Sequence, residues 1–451
     1  MDLRLATIAD ILLLIMSLWC ILAVSDRSIF NPSLWWVGLH TYTVTFRLIT
    51  VNLGVESPSV FGVQSDIELV NAALASDISL LAVVAATLLG AYAAQRNEQL
   101  RIHALRGRTE LDPLLGQVIS VLCIVIGTYA LLKFGYVASA TRARGHEISA
   151  IDIGQLETSA YPIVIAGFAI QGALLQFAIR GFTFWSVALF GVLVVLTSVN
   201  SDRSSFVLAL IMAFLIYQTR RNRTDISATW VVAALLPLAL VWFVFKPIAG
   251  SIQRGSTVSE AIENGKNYFS DSVNTESLGD TEFLDMQASY MAASDEAGKH
   301  FYGATLLPLL YIPIPRYLWP EKPRMNDWEL ELASKQRPFF AGMVATFSGD
   351  SYVNFGWLGC AGIPFLYMAL MQAGYRRAKD QGITSSDRWI YLICLVTMIQ
   401  AFRDGMDSVF TYPFIAYLPL TAWALISKAL GKRIVLETVP FDSPTYVRSK
   451  G

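Results

Sequence analysis

Three arginines stand where arginine is costly. Arg203 lies in the turn Asn200-Ser201-Asp202-Arg203-Ser204-Ser205 between two short apolar runs. Arg316 sits between prolines in Ile314-Pro315-Arg316-Tyr317-Leu318-Trp319-Pro320, and Arg403 closes an apolar run just before Asp404-Gly405-Met406-Asp407. An unpaired guanidinium near hydrocarbon costs about 2.5–3.5 kcal/mol or more, so each asks for a partner or a purpose. A guanidinium fork matches two phosphate oxygens at once, and several forks on one place would clamp a diphosphate. Asp202 and Asp404 offer the plainer alternative of local salt bridges. For Arg142, Arg144, Arg254 and Arg324, which also fall in polar stretches, pairing with nearby acids is the simpler reading.

Groups able to move a proton fall in the same polar stretches: His146, His300, Glu282, Asp285, Glu321 and Asp350. Any of them could accept a proton from a sugar hydroxyl given reach and a suitable pKa, although each taken singly reads first as a solvated surface group. Tyr352 and Asn354 open an apolar run and could hydrogen-bond a sugar or phosphate; for Asn354 a helix-start cap is the equal alternative. Gly356 and Gly359 read as positions of close helix packing. Asp280-Thr281-Glu282 and Asp327-Trp328-Glu329 are carboxylate pairs without a third ligand, so no metal site is expected. The four cysteines, Cys20, Cys123, Cys360 and Cys394, all lie in apolar runs and read as small buried side chains. Phosphate-cradling glycine-lysine loops, zinc helices and Gly-x-Ser-x-Gly elbows are absent from the 451 residues, which argues against an ATP-driven machine or a protease.

The elements that must position these groups are membrane helices. Hydrophobic residues make up 54% of the chain and charged residues 15%, with a mean hydropathy of +0.48. Soluble domains carry about 25% charge, so lipid is the main solvent here. A net charge of -1 excludes the basic field that nucleic acid requires. The first apolar run lacks the basic flank of a cleavable leader. Apolar runs predict an all-α polytopic membrane protein with about 11 transmembrane helices, near 5–24, 33–53, 69–94, 114–134, 161–180, 182–199, 203–218, 228–248, 351–373, 388–403 and 409–429. The second, with His40 and Arg47, fits the pattern least well. The chain then divides into N-terminal helices (1–248), a large polar loop or lid (249–350), C-terminal helices (351–430) and a tail (431–451). Within the lid a helix is expected around 281–297, and the proline-rich run 303–314 is too short to cross.

Positive charge sets the orientation. Arg96, Arg101, Arg106 and Arg108 form one group, and Arg220, Arg221 and Arg223 a second. Arg376, Arg377, Lys379 and Arg388 form a third, and Lys428, Lys432, Arg433, Arg448 and Lys450 the last. Eleven spans place all four on one side, expected to be the cytoplasm, which leaves the N-terminus and the lid outside.

The order of motifs resembles a known family. Ser201-Asp202-Arg203-Ser204 comes first, then Tyr302-Gly303, Ile314-Pro315-Arg316 and Trp319-Pro320-Glu321-Lys322-Pro323. Tyr352-Val353-Asn354-Phe355-Gly356-Trp357-Leu358-Gly359 and Arg403-Asp404 follow. This succession, over about 200–410, is similar to the bacterial oligosaccharide repeat-unit polymerases, the O-antigen polymerases. The resemblance implies a glycosyltransferase of the cytoplasmic membrane with its active site on the extracytoplasmic face. It would move a growing glycan from undecaprenyl diphosphate to the non-reducing end of another lipid-linked repeat unit. Arg203, Arg316 and Arg403 would hold the diphosphate with Lys322 as a weaker helper, His300 or Asp350 would take the acceptor proton, and Tyr352 and Asn354 would bind substrate. The donor is already activated, so no cofactor is expected, and metal independence is the working expectation. The implied partners are the lipid-linked donor and acceptor, a chain-length regulator and a flippase. An O-antigen ligase-type transferase and a lipid-linked oligosaccharide flippase are the alternatives.

Overall fold

The computed structural model describes residues 2–54, 63, 65–96, 108–109, 111–143, 150–199, 203–224, 259–260, 263, 282–311, 314, 318–323, 327–332, 343–430 and 433–434. Nearly all of this is helix. In order the main helices are α1 (Leu3–Val24), α2 (Pro32–His40), α3 (Phe46–Asn52), α4 (Asp66–Arg96), α5 (Pro113–Ala143), α6 (Ala150–Arg180), α7 (Phe184–Val199) and α8 (Arg203–Arg220). They continue with α9 (Phe283–Ala297), α10 (Pro308–Tyr311), α11 (Asp327–Leu332), α12 (Phe347–Ala378), α13 (Ser386–Asp404), α14 (Ser408–Thr411) and α15 (Leu418–Leu430). π turns at Thr41–Thr45 and Tyr412–Ala416 join α2 to α3 and α14 to the approach of α15.

Among the described residues, four stretches are long and apolar enough to cross a membrane: Leu3–Val24, Asp66–Ala94, Pro113–Lys133 and Phe347–Ala378. The pair Ser408–Ala416 and Leu418–Leu430, bent by 81°, makes a fifth if it acts as one span. Ten of the eleven runs expected from sequence fall on helix, and 228–248 lies outside the described residues. Several of the ten fall short as spans for visible reasons. The 33–53 run is interrupted by its π turn and carries His40 and Arg47, while α13 carries Asp387, Arg388, Arg403 and Asp404. The helix expected around 281–297 forms as α9, stopped by Gly298 at φ +57, where Lys299 N–H bonds the Ser294 carbonyl.

The distribution of side chains is inverted relative to a protein in water. Helix α1 exposes Leu5, Ile8, Leu12, Ile15, Met16 and Trp19, the last at 72%, while Thr7, Asp10 and Ser17 are buried. Helix α5 likewise exposes Val118, Val121, Leu122 and Val125 and buries Ser120, whose hydroxyl donates to the Gly172 carbonyl of α6. Such continuous apolar faces are stable against lipid tails, with polar groups satisfied inside the bundle. Small residues let the helices close up: a Cβ at Gly127 would stand 2.3 Å from the Ala169 backbone.

Long-range contacts sort the loops onto two ends. At one end Lys379 pairs with Asp26 at 2.8 Å, Lys428 with Asp387 at 2.7 Å, and Ile29 N–H bonds the Thr224 carbonyl. Leu111 N–H bonds Thr384 there, and Arg108–Thr109 pairs antiparallel with Arg433–Ile434. Members of all four basic groups therefore meet at this end. Arg388 is the exception to their solvated character: it is 2% exposed, stacked 3.8 Å over Phe30 and bonded to Thr219. The opposite end gathers Leu3, Asn52, α9, residues 300–306, the start of α12 and the end of α13.

Candidate active site at a broken helix

Helix α12 is not continuous. Thr346 starts it at φ +59 with its hydroxyl accepting from Gly349 N–H, and the helix then breaks at Phe355 and Gly356. Gly356 adopts φ 60 and ψ −150, a region open almost only to glycine. A Cβ at Gly359 would fall 2.0 Å from the Ser351 carbonyl, so the glycine lets the two half-helices fold against one another. The two glycines read from sequence as helix-packing positions thus make the break itself.

A broken helix leaves carbonyls without partners, which low-polarity surroundings do not tolerate. The lid supplies the missing donors: Phe301 N–H bonds the Val353 carbonyl at 3.1 Å and Tyr302 N–H bonds that of Asn354 at 2.9 Å. Tyr302 (φ +49) and Gly303 (φ +89) turn the chain to make this fit. Two of the three non-glycine positive-φ residues among those described, Tyr302 and Thr346, belong to this one site.

Asp350 and Asn354 are its hub. Asp350 Oδ1 accepts from Asn354 Nδ2 at 2.8 Å and from the Thr305 hydroxyl at 3.2 Å, while Oδ2 accepts from Met406 N–H at 2.8 Å. Asn354 Oδ1 accepts from Gly303 N–H at 2.8 Å, and its amide also reaches the Asp350 carbonyl and Thr305. Asn354 is fully buried and Asp350 nearly so. The amide is neither a helix-start cap, a task done by Thr346, nor open to a ligand in this conformation. Together the two residues lock three distant segments, 303–305, 350–354 and 405–406. Removing a buried hydrogen-bond partner leaves groups unsatisfied at about 1–3 kcal/mol each. Asn354→Ala is expected to lower the melting temperature in detergent and free residues 300–306 to proteolysis, whereas an exposed Lys299→Ala would do neither.

The open rim of the site is aromatic. His300 is half-buried, edge-on to Tyr352 at 5.8 Å and to Tyr302 at 6.4 Å, with Nε2 beside the Gly356 break. Tyr352 donates to Asp295 at 2.8 Å and packs on Trp357. Tyr302, Phe355, Trp357 and Leu358 are exposed around it, an apolar border to a polar centre.

Of the arginines, Arg403 closes α13 two residues before Gly405, which packs on Asp350. Its side chain is 43% exposed and stands 3.0 Å from Asp404, the local partner foreseen from sequence. Burial, with the Asp404 charge beside it, pushes Asp407 up to about 6. Arg203 begins α8; its side chain is outside the described residues, but its height is not. Thr219, near the other end of α8, bonds Arg388 at the start of α13. Arg203 precedes Thr219 by 16 residues and Arg403 follows Arg388 by 15, rises of roughly 24 and 22 Å at about 1.5 Å per residue. The two arginines therefore mark the same end of the bundle. Arg316 lies outside the described residues. Lys322 reaches back to the Ile314 carbonyl at 3.0 Å.

Asp285, expected as a solvated group able to move a proton, is instead fully buried and serves as an anchor, as do two groups whose partners the sequence does not reveal. Arg47, 1% exposed, grips Asp285 of α9 through Nε at 2.6 Å and Nη2 at 3.0 Å. Gln287 joins Thr346, Ser76 and the Ala72 carbonyl. The signal was present, a charge inside an apolar run, but its partner lies 238 residues away. No family model, no curated protein and no solved structure matches this chain.

Proposed function

We propose that this chain is an oligosaccharide repeat-unit polymerase of the cytoplasmic membrane, working at the end where α12 breaks. The observation that carries the reading is convergence. His300 and the helix end bearing Arg403 come from distant parts of the chain to the broken helix that carries Asp350, Tyr352 and Asn354, and Arg203 starts its helix at the same end. Extending a lipid-linked glycan requires cations for the departing diphosphate, a base for the acceptor hydroxyl and an opening that is apolar on one side and polar on the other.

In this reading the glycosyl carbon–oxygen bond to diphosphate breaks as the acceptor hydroxyl adds to the anomeric carbon. Fixed guanidinium groups stabilise charge developing on the leaving oxygens. His300 is the proposed base, because it alone of the two nominated groups reaches the open rim. Asp350, buried and bonded, is the positioning residue that holds the break and the α13 end in register. Donor and acceptor both arrive laterally from lipid, past Trp357 and Leu358. The membrane is crossed eleven times, with the basic end in the cytoplasm and the lid outside; the meeting of all four basic groups at one end supports this orientation. A reagent that cannot cross the membrane should label Ser256→Cys and spare Arg221→Cys in intact cells; the reverse pattern would put the site on the wrong face.

A transporter of lipid-linked oligosaccharide is the second reading. It is favoured by the buried charges Asp10, His40 and Asp77 inside the bundle. Cells without the protein separate the two. Under the polymerase reading they still display a glycan of a single repeat unit, whereas loss of a transporter leaves none outside.

A further inference from the structure

Helices α1, α2 and α4 enclose Asp10, His40 and Asp77, whose exposures are 0%, 0% and 8%. One donor atom from each lies within 4.8 Å of the others. His40 Nε2 stands 2.8 Å from Asp10 Oδ1 and 3.5 Å from Asp77 Oδ1. Ligands about 2.0–2.2 Å from a tetrahedral ion are about 3.4 Å apart, so the three atoms are already near the spacing that a small divalent cation imposes.

A second observation points the same way. Buried polar atoms are nearly always paired. Here Asp10 Oδ2 and Asp77 Oδ1, on the two carboxylates that flank His40, make no hydrogen bond. Thr45 is 4% exposed and its hydroxyl lies against Asp10. It closes the π turn that begins directly after His40, a wide turn that brings an extra side chain to the same face. Arg47, the next cation along the chain, is committed to Asp285.

We propose that Asp10, His40 and Asp77, with Thr45 as a fourth ligand, bind one divalent cation of the zinc or manganese kind. Two carboxylates balance its charge, and the imidazole selects against magnesium and calcium, which prefer oxygen alone. The ion would clamp α1, α2 and α4 together, and Ser79, two residues beyond Asp77, carries that clamp to α12 through the Cys360 carbonyl and Ser348. This proposal is independent of the glycosyl-transfer reading and stands or falls separately.

The test uses full-length protein, free of any histidine tag, purified in detergent with chelator and then equilibrated with Co2+ or Zn2+. About one equivalent per chain is expected by elemental analysis, together with visible Co2+ bands of low-coordinate geometry. Asp10→Asn, His40→Gln and Asp77→Asn should each lose the bands, with a fall in affinity beyond the roughly 10–100-fold that loss of a supporting partner causes. His300→Gln should keep them. Substoichiometric metal in the native protein, or bands that persist in His40→Gln, would overturn the site and leave an Asp–His–Asp ion-pair cluster. Should a variant fail to fold, the stoichiometry and spectrum of the native protein decide alone.

Discussion

An Arg203→Ala, Arg316→Ala double variant is expected to insert normally and yet make no glycan longer than the starting repeat unit. In the proposed reaction diphosphate leaves as a multiply charged anion, and in a site bordered by lipid that charge must be met by fixed cations. Each charge-assisted hydrogen bond contributes about 1.5–3 kcal/mol, so each arginine is worth roughly tenfold to over a hundredfold in rate. Arg316→Lys keeps the charge but loses the planar fork, and an intermediate loss is expected. The check is a chain-length profile at matched protein levels. Native-length glycan from the double variant would remove the clamp from the mechanism.

Breaking the Arg47–Asp285 pair is expected to have the largest effect on stability. The pair is buried, two-pronged and joins α3 to the lid helix α9. Losing one partner leaves the other charge uncompensated inside the protein, at a cost of about 3–5 kcal/mol. Asp285→Ala and Arg47→Ala should each lower the melting temperature sharply, while an Arg47→Met, Asp285→Leu double variant should recover most of the loss. Burial, opposed by Arg47, pushes Asp285 up to about 6 from its ordinary 3.8. A raised carboxyl pKa contributes stability that is fully present below about 3.8 and lost as pH rises through about 6. Asp285→Asn should therefore flatten that part of the stability profile. If either single alanine variant melts as the native protein does, α9 is held by other contacts.

The helices were legible because lipid-facing runs announce themselves by apolarity alone, and ten of the eleven expected runs are helical. The number that count as spans was less legible, since buried charges such as His40, Arg47 and Arg388 shorten apolar windows without preventing burial in the bundle. At the candidate site the chemistry-bearing residue types were readable, and their positions were not. Gly356 and Gly359 look like packing residues until the break shows the φ +60 that one of them adopts. Asn354 looks like a cap until Gly303, 51 residues before it, is seen to need its oxygen. The grouping of Asp10, His40 and Asp77 was not legible, because single charges in separate apolar runs give no sign of their common destination.

The central claim is tested most directly by incubating the purified protein in detergent with one defined lipid-linked repeat unit and nothing else. The account predicts a ladder of longer lipid-linked glycans, formed without nucleotide or membrane gradient, with one lipid diphosphate released per bond made. Purified protein that moves the lipid-linked unit across vesicles while the glycan stays at one repeat would contradict it.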